Sequence, residues 1–154
     1  QKMAGGQMDS LNHKTFKKSE YIYMPDEHAD KIYFISGGRI KIGTYSDTGK
    51  EITKSILTQG EVFGELSLIE EPSFRSASAN SSTRSCLIGF FKPDLLQVIQ
   101  RNPLTGNKIS LRLAEILGKR LRETTEKVTE LYVEVNKLKK DNKGVSSREK
   151  HFTS

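Results

Sequence analysis

The hydrophobic pattern of this sequence changes period once, and that change restricts the folds that the chain can adopt. Between Thr15 and Phe91, short apolar segments recur at regular spacing and are separated by Gly-containing turns. The segment Arg39–Tyr45 alternates apolar and polar residues with a period of two, which is typical of a half-buried strand. Regularly spaced short strands predict a β-sandwich or a jelly roll. From Pro93 onward the pattern is helical.

The same pattern predicts the limits of the elements. Gly37 and Gly38 predict a tight hairpin turn between two strands. A first helix is expected from Pro93, and Gly106 is expected to delay the regular part of a second helix until about Ile109. The predicted strands span residues 21–23, 31–35, 39–45, 52–57, 75–79 and 85–91, with a further strand at Val62.

The stretch from Gly64 to Ser76 carries residue types that suit a nucleotide. Gly64 allows the backbone to approach a ligand closely. The amides of Glu65 and Leu66 open a predicted helical turn, and unpaired amides at a helix start attract phosphate oxygens. Arg75 offers a planar fork of donors to two phosphate oxygens, with the Ser76 hydroxyl beside it. An ionised Glu65 is a pure acceptor, which suits a ribose hydroxyl. We therefore predict a nucleotide pocket.

The order Phe-Gly-Glu-Leu-x-Leu at residues 63–68, followed by Arg-Ser-Ala at residues 75–77, resembles the phosphate-binding cassette of cyclic-nucleotide-binding domains. Much of the surrounding chain resembles the bacterial cyclic AMP receptor protein family of transcription regulators. The resemblance implies a mainly β fold, a cyclic-nucleotide-binding β-roll (a double-stranded jelly roll) followed by a long dimerisation helix. It also implies cyclic AMP as the effector. We interpret Arg39, just after the predicted hairpin, as a surface charge.

From Ala114 onward, a heptad spacing can be written along the predicted second helix. Branched residues at its first core position and Leu at its second favour a parallel two-stranded coiled coil. We therefore expect a homodimer; the alternative is a helix packed on its own domain. The first position holds Ala114, Leu121, Val128 and Val135, and the second holds Leu117, Thr124, Leu131 and Leu138. The predicted dimer interface consists of Leu117, Leu121, Thr124, Val128, Leu131, Val135 and Leu138.

Thr124 interrupts the apolar heptad positions, and a polar residue there can specify the register of a coiled coil. The segment from Lys119 to Val128 resembles the dimer helix of the cyclic AMP receptor proteins, in which two adjacent hydroxyl residues, one from each subunit, contact the adenine. Thr124 and Thr125 occupy the matching positions, with Thr125 in place of the more usual serine. The resemblance implies a ligand that connects the cassette to the helix pair, so that binding biases the arrangement of the helices.

The chain is expected to divide into four parts. Residues 1–12 are interpreted as a leader or vector-derived segment, 13–102 as the β-roll with short helices, 103–140 as the dimerisation helix and 141–154 as a polar tail. A helix-turn-helix domain needs several tens of residues with a core of its own, and such a domain is absent after residue 140. We therefore expect DNA contact only through a domain missing from this chain. The chain is then either a fragment of a regulator or a sensor with another output.

The composition argues against disulfide-bonded, metal-binding and membrane-spanning classes of protein. The formal net charge is +6, and residues 101–154 carry the whole excess, with 13 basic against 7 acidic side chains. We interpret this as a solvated helix face or a surface for an acidic partner. One cysteine excludes an internal disulfide, and three scattered histidines give no support for a metal site. Cys86 is interpreted as a buried, inert thiol, from which a cytoplasmic location is expected; no apolar run approaches membrane-spanning length.

Three alternatives stay open. The same fold can serve as a sensor for cyclic GMP or for another effector, or for none, without its own DNA-binding output. An enzyme is not expected, because no nucleophile–base pair, paired carboxylate or ligand cluster stands out. A structural coiled-coil protein with an inert head would leave the residues of the cassette unexplained.

Overall fold

The computed structural model describes residues 12–149, and the side chains of residues 13–143. The chain divides into two compact units, with the boundary between Thr105 and Gly106. The strands are β1 Asn12–Phe16, β2 Tyr21–Tyr23, β3 Lys31–Gly37, β4 Arg39–Tyr45, β5 Glu51–Thr58, β6 Val62–Phe63, β7 Ser78–Ser81 and β8 Ser85–Phe91; the helices are α1 Lys92–Arg101 and α2 Pro103–Glu149. A 3-10 turn, Glu65–Leu68, follows β6.

The strands form two four-stranded sheets, in which every neighbouring pair is antiparallel. Their orders are β1-β8-β3-β6 and β2-β7-β4-β5. Antiparallel sheets usually have one face on a core and the other facing solvent. In β4 the apolar residues Ile40 and Ile42 contact the core, and an irregularity between Ile42 and Gly43 then interrupts the alternation. The predicted jelly roll followed by a long helix is confirmed.

Apolar side chains from both sheets form one core. Ile35, Phe63 and Leu87 come from the first sheet, and Ile40 and Ala79 come from the second. All five are buried almost completely. Full burial of a large apolar side chain contributes about 1.5–3 kcal/mol to the stability of the fold. The core therefore stabilises the two sheets from which the loops extend.

The predicted hairpin at Gly37 and Gly38 is wrong, because β3 and β4 belong to different sheets. Gly38 has a φ of 90°, and a Cβ on it would lie 2.3 Å from Ser85 Oγ and 2.6 Å from the carbonyl oxygen of Arg84. The glycine therefore lets the backbone pass close to the start of β8 as it leaves one sheet for the other.

The predicted strand 75–79 is also displaced, since β7 begins at Ser78. The backbone of Arg75 is hydrogen-bonded elsewhere: its N–H donates to the carbonyl of Glu27 at 2.8 Å, and its carbonyl accepts from the N–H of Asp26 at 2.8 Å. At the other end of the unit, β1 already includes Asn12, which pairs with Gly89. The rest of the predicted leader, residues 1–11, lies outside the described residues.

Helix α2 begins at Pro103, where the dimerisation helix is expected to begin, and it is helical from that residue rather than only from about Ile109. The Asn102 side chain accepts a hydrogen bond from the Thr105 N–H at 3.2 Å. Such a cap contributes about 1 kcal/mol, which offsets a cost of similar size for Gly106 inside the first turns. The helix has 47 residues and continues to Glu149, past the predicted end at residue 140. Residues assigned to the polar tail are therefore helical as far as Glu149, and residues 150–154 lie outside the described part.

Candidate functional site

The connection after β6 is a tight turn that begins at a glycine in the left-handed region. Gly64 has a φ of 78° and a ψ of 15°, in the left-handed region, and precedes the 3-10 turn Glu65–Leu68. A Cβ on Gly64 would lie 2.7 Å from Nη1 of Arg75 and 3.1 Å from the carbonyl oxygen of Lys31. The backbone conformation and the limited space therefore both favour glycine. The helical turn predicted from the sequence is present.

Arg75 lies against Gly64 and is buried, with 6% of its surface exposed. Its Nη2 donates a hydrogen bond of 2.9 Å to the carbonyl oxygen of Lys31. Its Nε is buried and has no hydrogen-bond partner among the described residues. A guanidinium has five N–H donors, and a buried donor without a partner costs free energy. The site therefore holds a desolvated cation with unused capacity to bind an anion.

The other cassette residues differ in exposure. Glu65 is buried with 8% of its surface exposed, Leu66 is half-buried, and Ser76 is exposed. The structure thus brings Gly64 and Arg75 into contact and buries the Glu65 carboxylate in the turn between them, while the Ser76 side chain faces solvent. The roles predicted for these residues in nucleotide binding stay predictions.

Two serines shape the cassette, and the sequence reasoning missed both. The hydroxyl of Ser67 donates to the carbonyl of Gly64 at 2.7 Å. The hydroxyl of Ser73 donates to the carbonyls of Glu70 at 2.7 Å and Ser67 at 3.1 Å. Small hydroxyl residues three positions after a carbonyl commonly make such local bonds, so their spacing was the available signal.

The loop after the 3-10 turn is held to its neighbours. The N–H of Ala29 donates to the carbonyl of Ser73 at 2.9 Å. Glu71 forms an ion pair with Lys92, at the start of α1. The hydrogen bond from Lys92, and then its charge, lower the pKa of the Glu71 carboxyl. Glu71 is exposed, so this pair fixes the position of the loop more than it stabilises the fold.

An aromatic cluster lies beside Arg75. The guanidinium carbon lies 4.2 Å from the ring centroid of Tyr23 and 5.7 Å from that of Tyr33. The rings of Tyr33 and Phe63 are stacked, with centroids 5.1 Å apart. Burial raises the pKa of the Tyr33 hydroxyl, and the charge of Arg75 acts in the opposite direction. The guanidinium therefore lies beside two uncharged, polarizable rings, those of Tyr23 and Tyr33.

Thr124 and Thr125 belong to the helical unit, where both side chains are exposed. The hydroxyl of Thr125 donates to the carbonyl of Leu121 at 2.8 Å, a bond within one helical turn. This bond uses the proton of the hydroxyl and leaves its oxygen able to accept. Contact of either threonine with a base stays a prediction.

The predicted dimer interface forms an exposed apolar row on α2. Leu121, Val128, Leu131 and Leu138 are each at least 58% exposed, Val135 is 45% exposed, and Leu117 is half-buried. Exposed apolar rows of this length on one helix indicate a surface for another protein. The dimer itself stays a prediction.

No metal-binding group of three or more His, Cys, Asp or Glu side chains is present within residues 12–149. Within the same residues, no helix combines the length and the apolar character needed to cross a membrane.

Comparison with known families identifies the family to which this fold and cassette belong. A family model described as cyclic nucleotide-binding domain matches residues 13–102. The chain belongs to the cyclic nucleotide-binding domain family. The matched region contains both sheets, the cassette and α1, so Gly64 and Arg75 lie inside it.

The similarity to individual proteins of known function extends beyond the matched domain into α2. The cAMP-activated global transcriptional regulator CRP of Salmonella typhimurium is 35% identical over 119 residues, which are 77% of this chain and 54% of that protein. The cyclic AMP receptor protein of Thermus thermophilus is 32% identical over 110 residues, 71% of this chain and 49% of that protein. The chain therefore spans about half the length of the curated relatives it matches. The crystal structure of Thermus thermophilus catabolite activator protein superimposes with a TM-score of 0.67 at 29% identity, covering 79% of this chain and 55% of that one.

We predict that Gly64→Ala destabilises the domain by more than Gly60→Ala does. Both glycines have positive φ, 78° and 88°, so alanine costs about 1–2 kcal/mol at either position. Only at Gly64 does the new Cβ meet other atoms, those of Arg75 and Lys31, which adds about 1–3 kcal/mol. Urea denaturation of the two variants measures the difference. Equal free energies of unfolding would contradict the close approach of Arg75.

Proposed function

We propose that the chain is the sensor part of a cytoplasmic transcription regulator and that its effector is cyclic AMP. The observation that carries this proposal is the buried guanidinium of Arg75 beside Gly64, with Nε unpaired among the described residues. A cyclic phosphate has two non-bridging oxygens and a single negative charge, which one guanidinium can match. The proposal is supported by the family and by the relatives, whose names refer to cyclic AMP.

In this proposal the cassette binds the sugar and the phosphate. Arg75, the amides of Glu65 and Leu66, and the Ser76 hydroxyl contact the phosphate. The carboxylate of Glu65 accepts a hydrogen bond from the ribose hydroxyl, since an ionised carboxylate has acceptors only. Because the Arg75 side chain is already desolvated, binding an anion there costs little further dehydration of the protein. These groups bind and orient a ligand, and we propose no catalysed reaction for them.

We further propose that two copies of the chain associate through the apolar row of α2 and that Thr124 and Thr125 contact the base. Branched residues alternate with leucine along this row, which suits a parallel two-stranded coiled coil. A base that contacts the helix pair would bind one arrangement of the helices better than another, and that differential affinity would transmit the signal. DNA contact is proposed to belong to a separate helix-turn-helix domain of the regulator.

A second candidate is a sensor of the same family for cyclic GMP or for another effector. One observation favours it: the residues at the proposed base-contact positions are threonines, whose hydroxyls both donate and accept hydrogen bonds. The Thr125 hydroxyl already donates to Leu121 and can accept from a base. A hydroxyl pair therefore discriminates between adenine and guanine less strictly than a dedicated donor or acceptor does.

Arg75→Leu should lower the affinity for cyclic AMP by about 100-fold or more, because hydrogen bonds to charged groups are worth about 1.5–3 kcal/mol each. Isothermal titration calorimetry of both proteins measures the change. Arg39→Leu is the matched control, since Arg39 is exposed on β4 and is not part of the cassette. An Arg75→Leu variant that is folded and binds cyclic AMP within threefold of the original chain would refute the phosphate clamp.

Val128→Glu should convert the dimer to monomers, because it places a charge in the proposed coiled-coil core, whereas Val133→Glu should not. Both valines are exposed on α2, 60% and 48%, but Val133 lies off the heptad row. Burying an unpaired carboxylate costs several kcal/mol, so the dissociation constant should rise by about 100-fold or more. Sedimentation velocity at several concentrations gives the association state. Dimers that persist equally in both variants would show that this row is not the interface.

A further inference from the structure

The guanidinium of Arg75 lies over the face of an aromatic ring that no cassette pattern includes. Its central carbon is 4.2 Å from the ring centroid of Tyr23, and 5.7 Å from that of Tyr33. A cation within about 6 Å of a ring centroid is attracted by the ring, most strongly where water is excluded. The Arg75 and Tyr23 side chains are both more than nine-tenths buried. Tyr23 therefore interacts with the cation in a dry environment.

The ring of Tyr23 packs against aromatic rings of the opposite sheet. Tyr23 belongs to β2 in the second sheet, whereas Tyr33 and Phe63 belong to β3 and β6 in the first. The centroid of Tyr23 is 6.0 Å from that of Phe63 and 6.2 Å from that of Tyr33. Tyr33 and Phe63 also pair directly in the sheet. The ring is thus fixed by the packing of both sheets.

We propose that Tyr23 is a positioning residue, whose ring holds the guanidinium of Arg75 in the plane in which it binds an anion. All N–H groups of a guanidinium lie in its plane, so a ring against its face directs every donor sideways. One donor, on Nη2, is engaged by the Lys31 carbonyl, and Nη1 lies beside Gly64. These contacts leave the Nε donor for a ligand. The inference deepens the proposed function and rests on its phosphate clamp.

A double-mutant cycle separates positioning from simple packing. Tyr23→Leu should weaken the binding of cyclic AMP by about tenfold, in line with a desolvated cation–π contact. In the Arg75→Gln background, Tyr23→Leu should have no further effect, because the ring then has no guanidinium to orient. Calorimetric titration of the four proteins gives the coupling. A tenfold loss in both backgrounds, or in neither, would overturn the proposal.

Two variants control for the general effect of removing a core ring. Tyr23→Phe keeps the aromatic face and should lose less than threefold in affinity. Phe16→Leu removes a similarly buried ring from the core cluster. The cation over the Phe16 ring is Lys14 and not Arg75, so the affinity for cyclic AMP should be unchanged. A loss in Tyr23→Phe equal to that in Tyr23→Leu would show that the ring face is not what matters.

An NMR measurement on the ligand-free protein tests the position of the Arg75 guanidinium directly. Its result does not depend on whether the chain binds cyclic AMP, so it separates this proposal from the proposed function. A proton above a ring face is shifted upfield, so the Nε–H signal of Arg75 in a ¹⁵N–¹H correlation should be shifted in the free protein. The shift should persist in Tyr23→Phe and vanish in Tyr23→Leu. If the chain binds no cyclic AMP, the proposed effector is wrong, while this pattern would still support the positioning of Arg75. A signal that is the same in all three proteins would overturn it.

Discussion

The site depends on one constraint, the burial of the Arg75 guanidinium. A buried cation needs partners, and here a carbonyl oxygen, an aromatic face and the space above Gly64 receive it while Nε stays unpaired within the described residues. The sheets supply these partners from distant parts of the chain, so the fold carries the cost of keeping a cation away from water. A ligand with a compact negative charge repays part of that cost. This is why the glycine and the tight turn are necessary at the end of β6.

The close approach of Gly64 and Arg75 agrees with the sequence pattern, because the two residues lie near each other in the chain; the roles of the cassette residues in binding stay predictions. Gly64, Glu65 and Arg75 lie within twelve residues, and their residue types indicate a turn, an acceptor and an anion clamp. The path of the chain around them could not be predicted in the same way. The strand predicted at Arg75 is displaced because the backbone there bonds to Glu27, and the predicted hairpin at Gly38 instead joins two sheets. In both places, hydrogen bonds between residues far apart in sequence determine the path of the backbone.

The role of Tyr23 is a second feature that the sequence pattern could not predict. An aromatic residue in a short apolar strand reads as core, and the core does include it. Its contact with Arg75 depends on how the two sheets are placed over each other, which no periodicity encodes. The long helix is the opposite case. Its exposed apolar row could be traced from the heptad positions, but its start depends on the Asn102 cap, a single hydrogen bond that offsets the cost of the glycine in the first turns.

The measurement that tests the central claim most directly is a calorimetric titration of the chain with cyclic AMP, cyclic GMP and 5′-AMP. The account predicts tightest binding of cyclic AMP, because the clamp suits a cyclic phosphate with one charge and the helix hydroxyls are proposed to contact adenine. Preference for cyclic GMP would retain the clamp and reject the base contact. Absence of binding by all three would contradict the assignment of Arg75 as a phosphate clamp, although the β-roll would be unaffected.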